Sequence, residues 1–205
     1  MTAPIVNSHF PIMEHFPTIQ GEGFYSGTPA FFIRIGGCNV GCHWCDVKES
    51  WPDQGHDSMS IEALVKLAEE SGLDFVVITG GEPMMYNLDA LTEALKKTGK
   101  SVHLETSGAY PLSGDWSWIT FSPKKFKAPT DEFYNKAQEL KVVIFNKSDF
   151  AFAEEHASKM HAECKLYLQP EWSKRDAMMP LIVEYIKQHP KWRVSLQTHK
   201  YMQIP

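Results

Sequence analysis

Ala30-Phe31-Phe32-Ile33-Arg34-Ile35, running on into Gly36-Gly37-Cys38-Asn39-Val40-Gly41-Cys42-His43-Trp44-Cys45-Asp46, is the stretch that organises this chain. Its first half is aromatic and β-branched, a good strand with one charge, Arg34, inside it. Its second half is a glycine-punctuated loop that spaces three cysteines as C-x3-C-x2-C. Thiolates this close can converge on one metal centre, and glycines let the backbone wrap it. Cys164 lies far downstream in an apolar setting and reads as a buried thiol. Two readings stay open from these residues alone. One is a structural zinc site completed by His43 or a distant histidine, although the second knuckle such sites use is missing. The other is an iron–sulfur cluster held by three thiolates, with one iron left open.

Outward from the loop, the rhythm is regular. Ser60 is a plausible N-cap for a helix carrying Ile61, Leu64, Val65 and Ala68. Phe75-Val76-Val77-Ile78 is a continuous apolar run of the kind buried parallel strands show, and it ends at Thr79-Gly80-Gly81-Glu82-Pro83. Helices are expected over Asn87–Lys97, Asp131–Glu139, Asp149–His161 and Met178–Gln188. Strands are expected over Ser101–Glu105, Trp118–Phe121, Leu140–Phe145, Lys165–Leu168 and Trp192–Gln197. Residues up to about Phe16 read as an extended lead-in, because Pro4, Pro11 and Pro17 discourage helix. The last residues read as a short tail. Alternating strands and helices predict an α/β fold with a mostly parallel sheet of about six βα units, closed fully or in part. Most of the unusual polar groups follow a strand, so they would gather at one mouth, where parallel α/β folds bind ligands.

Composition narrows the class. The chain has 205 residues, enough for one domain spanning 1–205 with a substantial core. With 43% apolar and 22% charged residues it reads as an ordinary soluble protein. A formal net charge of −5 argues against broad attachment to nucleic acid or an anionic membrane. No apolar run approaches the ~20 residues that span a bilayer. The first residues carry no signal-peptide pattern, and the cysteines are no disulfide framework, so a reducing, cytoplasmic setting is expected.

Two motifs carry a resemblance. C-x3-C-x2-C after the first strand and Gly80-Gly81-Glu82-Pro83 after the second resemble the signatures of the radical S-adenosylmethionine (SAM) superfamily. Thr18-Ile19-Gln20-Gly21-Glu22-Gly23, Arg34, Ser122-Pro123-Lys124, Leu140–Ile144, Gln169-Pro170 and the run Gln197–Pro205 are further similar to the 7-carboxy-7-deazaguanine synthase family, over essentially the whole chain. The resemblance implies a partial or abbreviated (β/α)6-type radical SAM barrel. It also implies the ring contraction of 6-carboxy-5,6,7,8-tetrahydropterin to 7-carboxy-7-deazaguanine with loss of ammonia, in 7-deazapurine and queuosine synthesis. Cys38, Cys42 and Cys45 would hold a 4Fe-4S cluster whose open iron chelates SAM, the source of the hydrogen-abstracting radical. A glycyl-radical activating enzyme shares the cysteine spacing and is the enzymatic alternative, while a zinc-stabilised binding module is the non-enzymatic one.

By the same resemblance, Trp44, Cys45, Asp46, Gly81, Ser122, Pro123, Lys124 and Gln169 would contact SAM. Ile19, Gln20, Gly21, Glu22, Arg34, Thr79 and Pro205 would contact the pterin. Gln20 and Glu22 suit a ring edge that presents both donors and acceptors. Arg34 would grip the substrate carboxylate, with an internal ion pair as the competing reading. Pro205 would reach the site with its own carboxylate. A Mg2+ ion, a small reducing protein such as flavodoxin or ferredoxin, and a homodimer also follow. One position departs from the family's pattern. The residue after Cys45-Asp46 is Val47 where a threonine hydroxyl would help bind Mg2+, and valine has no oxygen to offer a hard cation.

Overall fold

The computed structural model describes residues 8–205; the part of the expected lead-in around Pro4 lies outside them. In chain order the elements are β1 (His9–Ile19), β2 (Pro29–Ile35), β3 (Asp57–Ser60), α1 (Ile61–Glu70), β4 (Phe75–Gly80), α2 (Asp89–Lys97), β5 (Ser101–Thr106) and β6 (Trp118–Phe121). They continue as α3 (Glu132–Lys136), β7 (Glu139–Ile144), α4 (Asp149–Ala157), β8 (Lys165–Pro170), α5 (Arg175–Gln188), β9 (Trp192–Val194) and α6 (Thr198–Met202). The strands form one sheet in the order β3-β1-β2-β4-β5-β6-β7-β8-β9. From β2 onward every neighbouring pair is parallel. Among the described residues the sheet ends in two free edges, β3 and β9, so the barrel they form is incomplete.

The expected lead-in is more than extended chain: its described part is the long strand β1, antiparallel to β2. Pro17 is tolerated because β3 covers only the stretch from His9 to Ile12, leaving that half of β1 at an edge where a missing N–H costs little. The segment before Ser60, expected to be loop, supplies the short strand β3. Ser60 does cap α1, its hydroxyl accepting the Ala63 N–H at 3.2 Å. The helix expected over Asp131–Glu139 stops at Lys136. Ala137 is extended, Gln138 accepts the Ile119 N–H through its side chain, and Glu139 already belongs to β7. The last strand ends at Val194 rather than Gln197, and the expected tail begins as α6.

The continuous apolar runs conceal an alternation. Ile33, Ile35, Val76, Ile78, Val102, Leu104, Leu140 and Val142 lie on one face of the sheet, all buried beneath the helices with Leu64, Leu91, Leu95 and Ile182. Each such aliphatic side chain contributes ~1.5–3 kcal/mol on burial. The alternate positions, Phe32, Arg34, Thr79, Glu105, Lys141, Val143 and Gln169, line a cavity on the opposite face. Register enforces this: Arg34 pairs with Thr79 and Val143 with Gln169, so they share a side. One end of that inner face is plugged by aromatics. Tyr25 packs on Phe75, His103 and Trp118 with ring centroids 5.1, 4.8 and 5.0 Å away.

Candidate active site

β2 and β4 are parallel neighbours, so the loops leaving them must meet. Gly37 accepts the Glu82 N–H at 2.8 Å and donates to Ser50 O at 2.8 Å, while Gly81 donates to Ile35 O at 3.1 Å. A side chain at Gly81 would strike the carbonyl of Gly37, so the Gly-Gly-Glu-Pro turn is what lets the cysteine loop fold down onto the sheet. Glu82, a residue the sequence reading left without a role, ties this turn to the next strand. Its carboxylate accepts Thr106 Oγ1–H at 2.6 Å, Ser107 N–H at 2.8 Å and the Ser107 hydroxyl.

Cys38, Cys42 and Cys45 all line one cavity of about 280 Å³, together with Trp44, Asp46, Gly81, Ser122, Lys124 and Gln169. Among the substrate residues expected from sequence, Gln20, Glu22, Arg34, Thr79 and Pro205 line the same cavity. Ile19, Gly21 and Pro123 do not. Ile19 ends β1, and Pro123 lines a smaller recess of about 140 Å³ beside the cysteine loop. Gly21 supports the wall from behind: its carbonyl accepts the Thr198 N–H at 2.9 Å, and a side chain there would strike His199.

The donor set bears on the metal. His43 lines the neighbouring recess rather than the thiol cavity and packs edge-on against Phe126 and Phe145, each 5.3 Å off, so it is not placed to complete a zinc tetrahedron. Among the described residues, no three His, Cys, Asp or Glu side chains are gathered to hold a single ion. Three thiols lining one cavity suit a polynuclear cluster, which takes each thiolate at a separate iron. Cys164, buried at the start of β8, is not part of that wall. Burial pushes the Cys42 thiol up to about 11, with Lys124 pulling the other way, so metal binding there must release a proton.

At the opposite end the cavity has an ionic floor. Lys141, on the inner face of β7, donates to Glu22 Oε2 at 2.6 Å and Glu105 Oε2 at 2.8 Å. Gln197 donates to Glu22 Oε1 at 2.8 Å, and Gln20 donates to Glu105 Oε1 at 3.3 Å. Burial alone would raise the Glu22 carboxyl, but the charge and hydrogen bond of Lys141 more than offset it and hold Glu22 at about 2. Glu105 goes the other way, raised by burial and by the neighbouring Glu22 charge. Sequence reading missed Glu105, Lys141 and Gln197 as site residues. The available signal was a charge inside each of two strands, beside Leu104 and between Leu140 and Val142, a costly placement unless paired.

The turn that brings Glu22 here does not follow a parallel strand. β1 runs antiparallel, so Gln20–Thr28 leaves the sheet at the start of β2, the end away from the cysteine loop. It reaches across the inner face, where Gly23 N–H meets Ser195 Oγ at 2.9 Å. Arg34 is engaged from outside the cavity: its Nε donates to Glu14 Oε1 at 2.6 Å, an internal ion pair across β1 and β2. Asp46 accepts Lys200 Nζ at 2.5 Å and Gln197 Nε2 at 3.3 Å, while Val47 lines the cavity with no side-chain oxygen. After α6, Gln203 adopts a left-handed conformation (φ 56°) that turns the chain back. Pro205 O then accepts the Thr18 hydroxyl at 2.9 Å.

Known proteins match this chain over nearly all of its length. The Radical SAM superfamily pattern matches residues 32–144. A 7-carboxy-7-deazaguanine synthase from Flavobacterium psychrophilum is 55% identical over 95% of this chain and 92% of its own length. One from Synechocystis is 51% identical, covering 95% and 93%. The crystal structure of QueE from Escherichia coli superposes with a TM-score of 0.81 at 31% identity, covering 92% of this chain and 93% of that one.

Proposed function

Because the chain belongs to the 7-carboxy-7-deazaguanine synthase family of the radical SAM superfamily, we propose that its cavity contracts 6-carboxy-5,6,7,8-tetrahydropterin to 7-carboxy-7-deazaguanine with release of ammonia. The observation that carries this reading is the likeness over 95% of the chain, in a fold whose cavity has thiols at one end and an ionic floor at the other.

Cys38, Cys42 and Cys45 would hold the 4Fe-4S cluster, and Trp44, Asp46, Gly81, Ser122, Lys124 and Gln169 would surround SAM, with Pro123 in the neighbouring recess. When bound, these cofactors supply the electron and the hydrogen-abstracting radical. The chain's own residues place the substrate. Ionised Glu22 offers acceptors to an amino or amide edge, and Gln20 offers both a donor and an acceptor. Of the five guanidinium N–H groups of Arg34, Glu14 and Gly80 O occupy two, which leaves donors for a carboxylate. Thr79 lies beside Arg34 on the same face, and Pro205 at the cavity wall adds a second polar contact. Ile19 and Gly21 shape the turn itself. Mg2+ would assist near Asp46, through water where Val47 replaces the family threonine. A reducing protein such as flavodoxin or ferredoxin, a homodimer, a single domain over 1–205 and a cytoplasmic setting complete the proposal. Among the described residues, no helix is long and apolar enough to cross a membrane.

The test is anaerobic reconstitution with iron and sulfide, then incubation with SAM, dithionite and the carboxytetrahydropterin. Formation of the deazaguanine acid is the expected result. A brown, SAM-cleaving protein that leaves the pterin untouched would sink the substrate assignment.

A further inference from the structure

Behind the cavity floor sits a buried acid with no countercharge of its own. Glu139 opens β7 two residues before Lys141, on the same face, and is 2% exposed. Its Oε2 accepts the Phe24 backbone N–H at 3.1 Å and the Trp118 indole N–H at 3.2 Å. Its Oε1 is buried without a hydrogen-bond partner among the described residues. Gly23, at φ +64°, lies directly over Oε1, where any side chain would collide with it. The Phe24 ring then stacks on Trp118 with centroids 4.9 Å apart. The turn that carries Gln20 and Glu22 therefore rests on this carboxyl group as well as on its bonds to Ser195, Thr198 and Lys141.

The charges around Glu139 decide its state. Lys141, from its own strand, is already shared by Glu22 of the turn and Glu105 of β5. His103 of β5 is kept neutral by burial, with its pKa down at about 4. Trp118 of β6 and Ser195 beyond β9 carry no charge. Lys165 is its register partner on β8 and forms no ion pair with it among the described residues. A third carboxylate would join a group that has one cation for two anions, in a place stripped of water. Burial and the neighbouring Glu105 charge, opposed in part by Lys141 and by the Phe24 and Trp118 N–H donors, lift the Glu139 carboxyl to about 7.

We propose that Glu139 is a positioning residue that seats the Gln20–Glu22 turn as a neutral carboxylic acid, so that ionising it loosens substrate binding. This rests on the assignment of Gln20 and Glu22 to the substrate. KM for the pterin should climb about tenfold as pH rises through about 7, while kcat follows a separate course. Glu139→Gln keeps the neutral shape and should show a low KM with that rise removed. Glu139→Ala should raise KM at every pH and leave kcat within about twofold. Infrared spectra should show a protonated-carboxyl C=O band that is lost above about pH 7 and is missing in the Gln variant.

Identical pH curves for wild type and Glu139→Gln, or no such band, would overturn the proposal. So would an unchanged KM in Glu139→Ala alongside a raised KM in Gln20→Ala, which leaves the substrate reading standing. If Gln20→Ala also leaves KM unchanged, the turn is not a substrate site and both ideas fall. Should Glu139→Ala fail to fold, the wild-type and Gln comparison decides alone.

Discussion

The cysteine mouth takes its three thiols from eight consecutive residues, Cys38 to Cys45, whereas the floor assembles Glu22, Glu105, Lys141 and Gln197, whose outer members are 175 positions apart. The mouth is a local loop held by backbone hydrogen bonds to its neighbours, with three thiols lining the cavity. The floor is complete in itself, an ion-pair and amide network whose members satisfy one another. One end is thus a local loop that presents ligands, and the other a network that only the tertiary fold assembles. Damage to the mouth should remove chemistry and spare the fold. Damage to the floor should cost both stability and substrate affinity.

The largest effect should come from the mouth. Cys38→Ala, Cys42→Ala or Cys45→Ala should lose the broad absorption near about 400 nm and all product formation, with thermal unfolding of the cluster-free protein little changed. A cluster spectrum retained in any of them would break the comparison. Next comes Lys141→Met at the floor, which strands two buried carboxyls and should destabilise the fold by about 3–5 kcal/mol at neutral pH. Acid should narrow that gap. With Glu22 held near 2 in the wild type, its stabilisation is present above the ordinary carboxylate range and lost as pH falls toward 2. Melting curves of both proteins from neutral pH down to about pH 3 would show whether the difference shrinks, and a constant difference would deny Lys141 this role.

A smaller effect is expected where the two ends meet the chain's last residues. Adding two residues after Pro205 should raise the pterin KM about tenfold, near 1.4 kcal/mol, without altering the cluster spectrum. Unchanged kinetics would remove Pro205 from the substrate site. The smallest change is Val47→Thr, which adds one oxygen beside Asp46. Stimulation by Mg2+ should grow by less than about fivefold, ~1 kcal/mol, while SAM cleavage in the absence of substrate stays the same. Strong stimulation already present in the wild type and unaltered by the substitution would show that the cation does not use this position.

Cysteine spacing and the Gly80-Gly81-Glu82-Pro83 turn were legible because loops that follow parallel strands carry their chemistry in consecutive residues, and periodicity gives the strands away. Arg34 was legible only as a conflict, a charge in an apolar strand. Its Glu14 partner was invisible because the lead-in reads as extended chain with no evident neighbour, and only the fold pairs it with β2 as β1. Lys141 hid in an apolar run and Glu105 at the polar end of β5. Nothing local says that the two share a face and a cation.

Residue order by itself settled the α/β alternation, the parallel sheet and the three-thiol loop, since each follows from short-range pattern and spacing. Only the tertiary structure decided that the barrel stays open between β3 and β9, that the Gln20–Glu22 turn crosses the inner face from the far end, and that Glu139 lies beneath it. Those facts depend on which strand neighbours which and on the sharing of one buried lysine among carboxylates. Such pairing is a balance of desolvation against attraction that exists only once the distant segments have met.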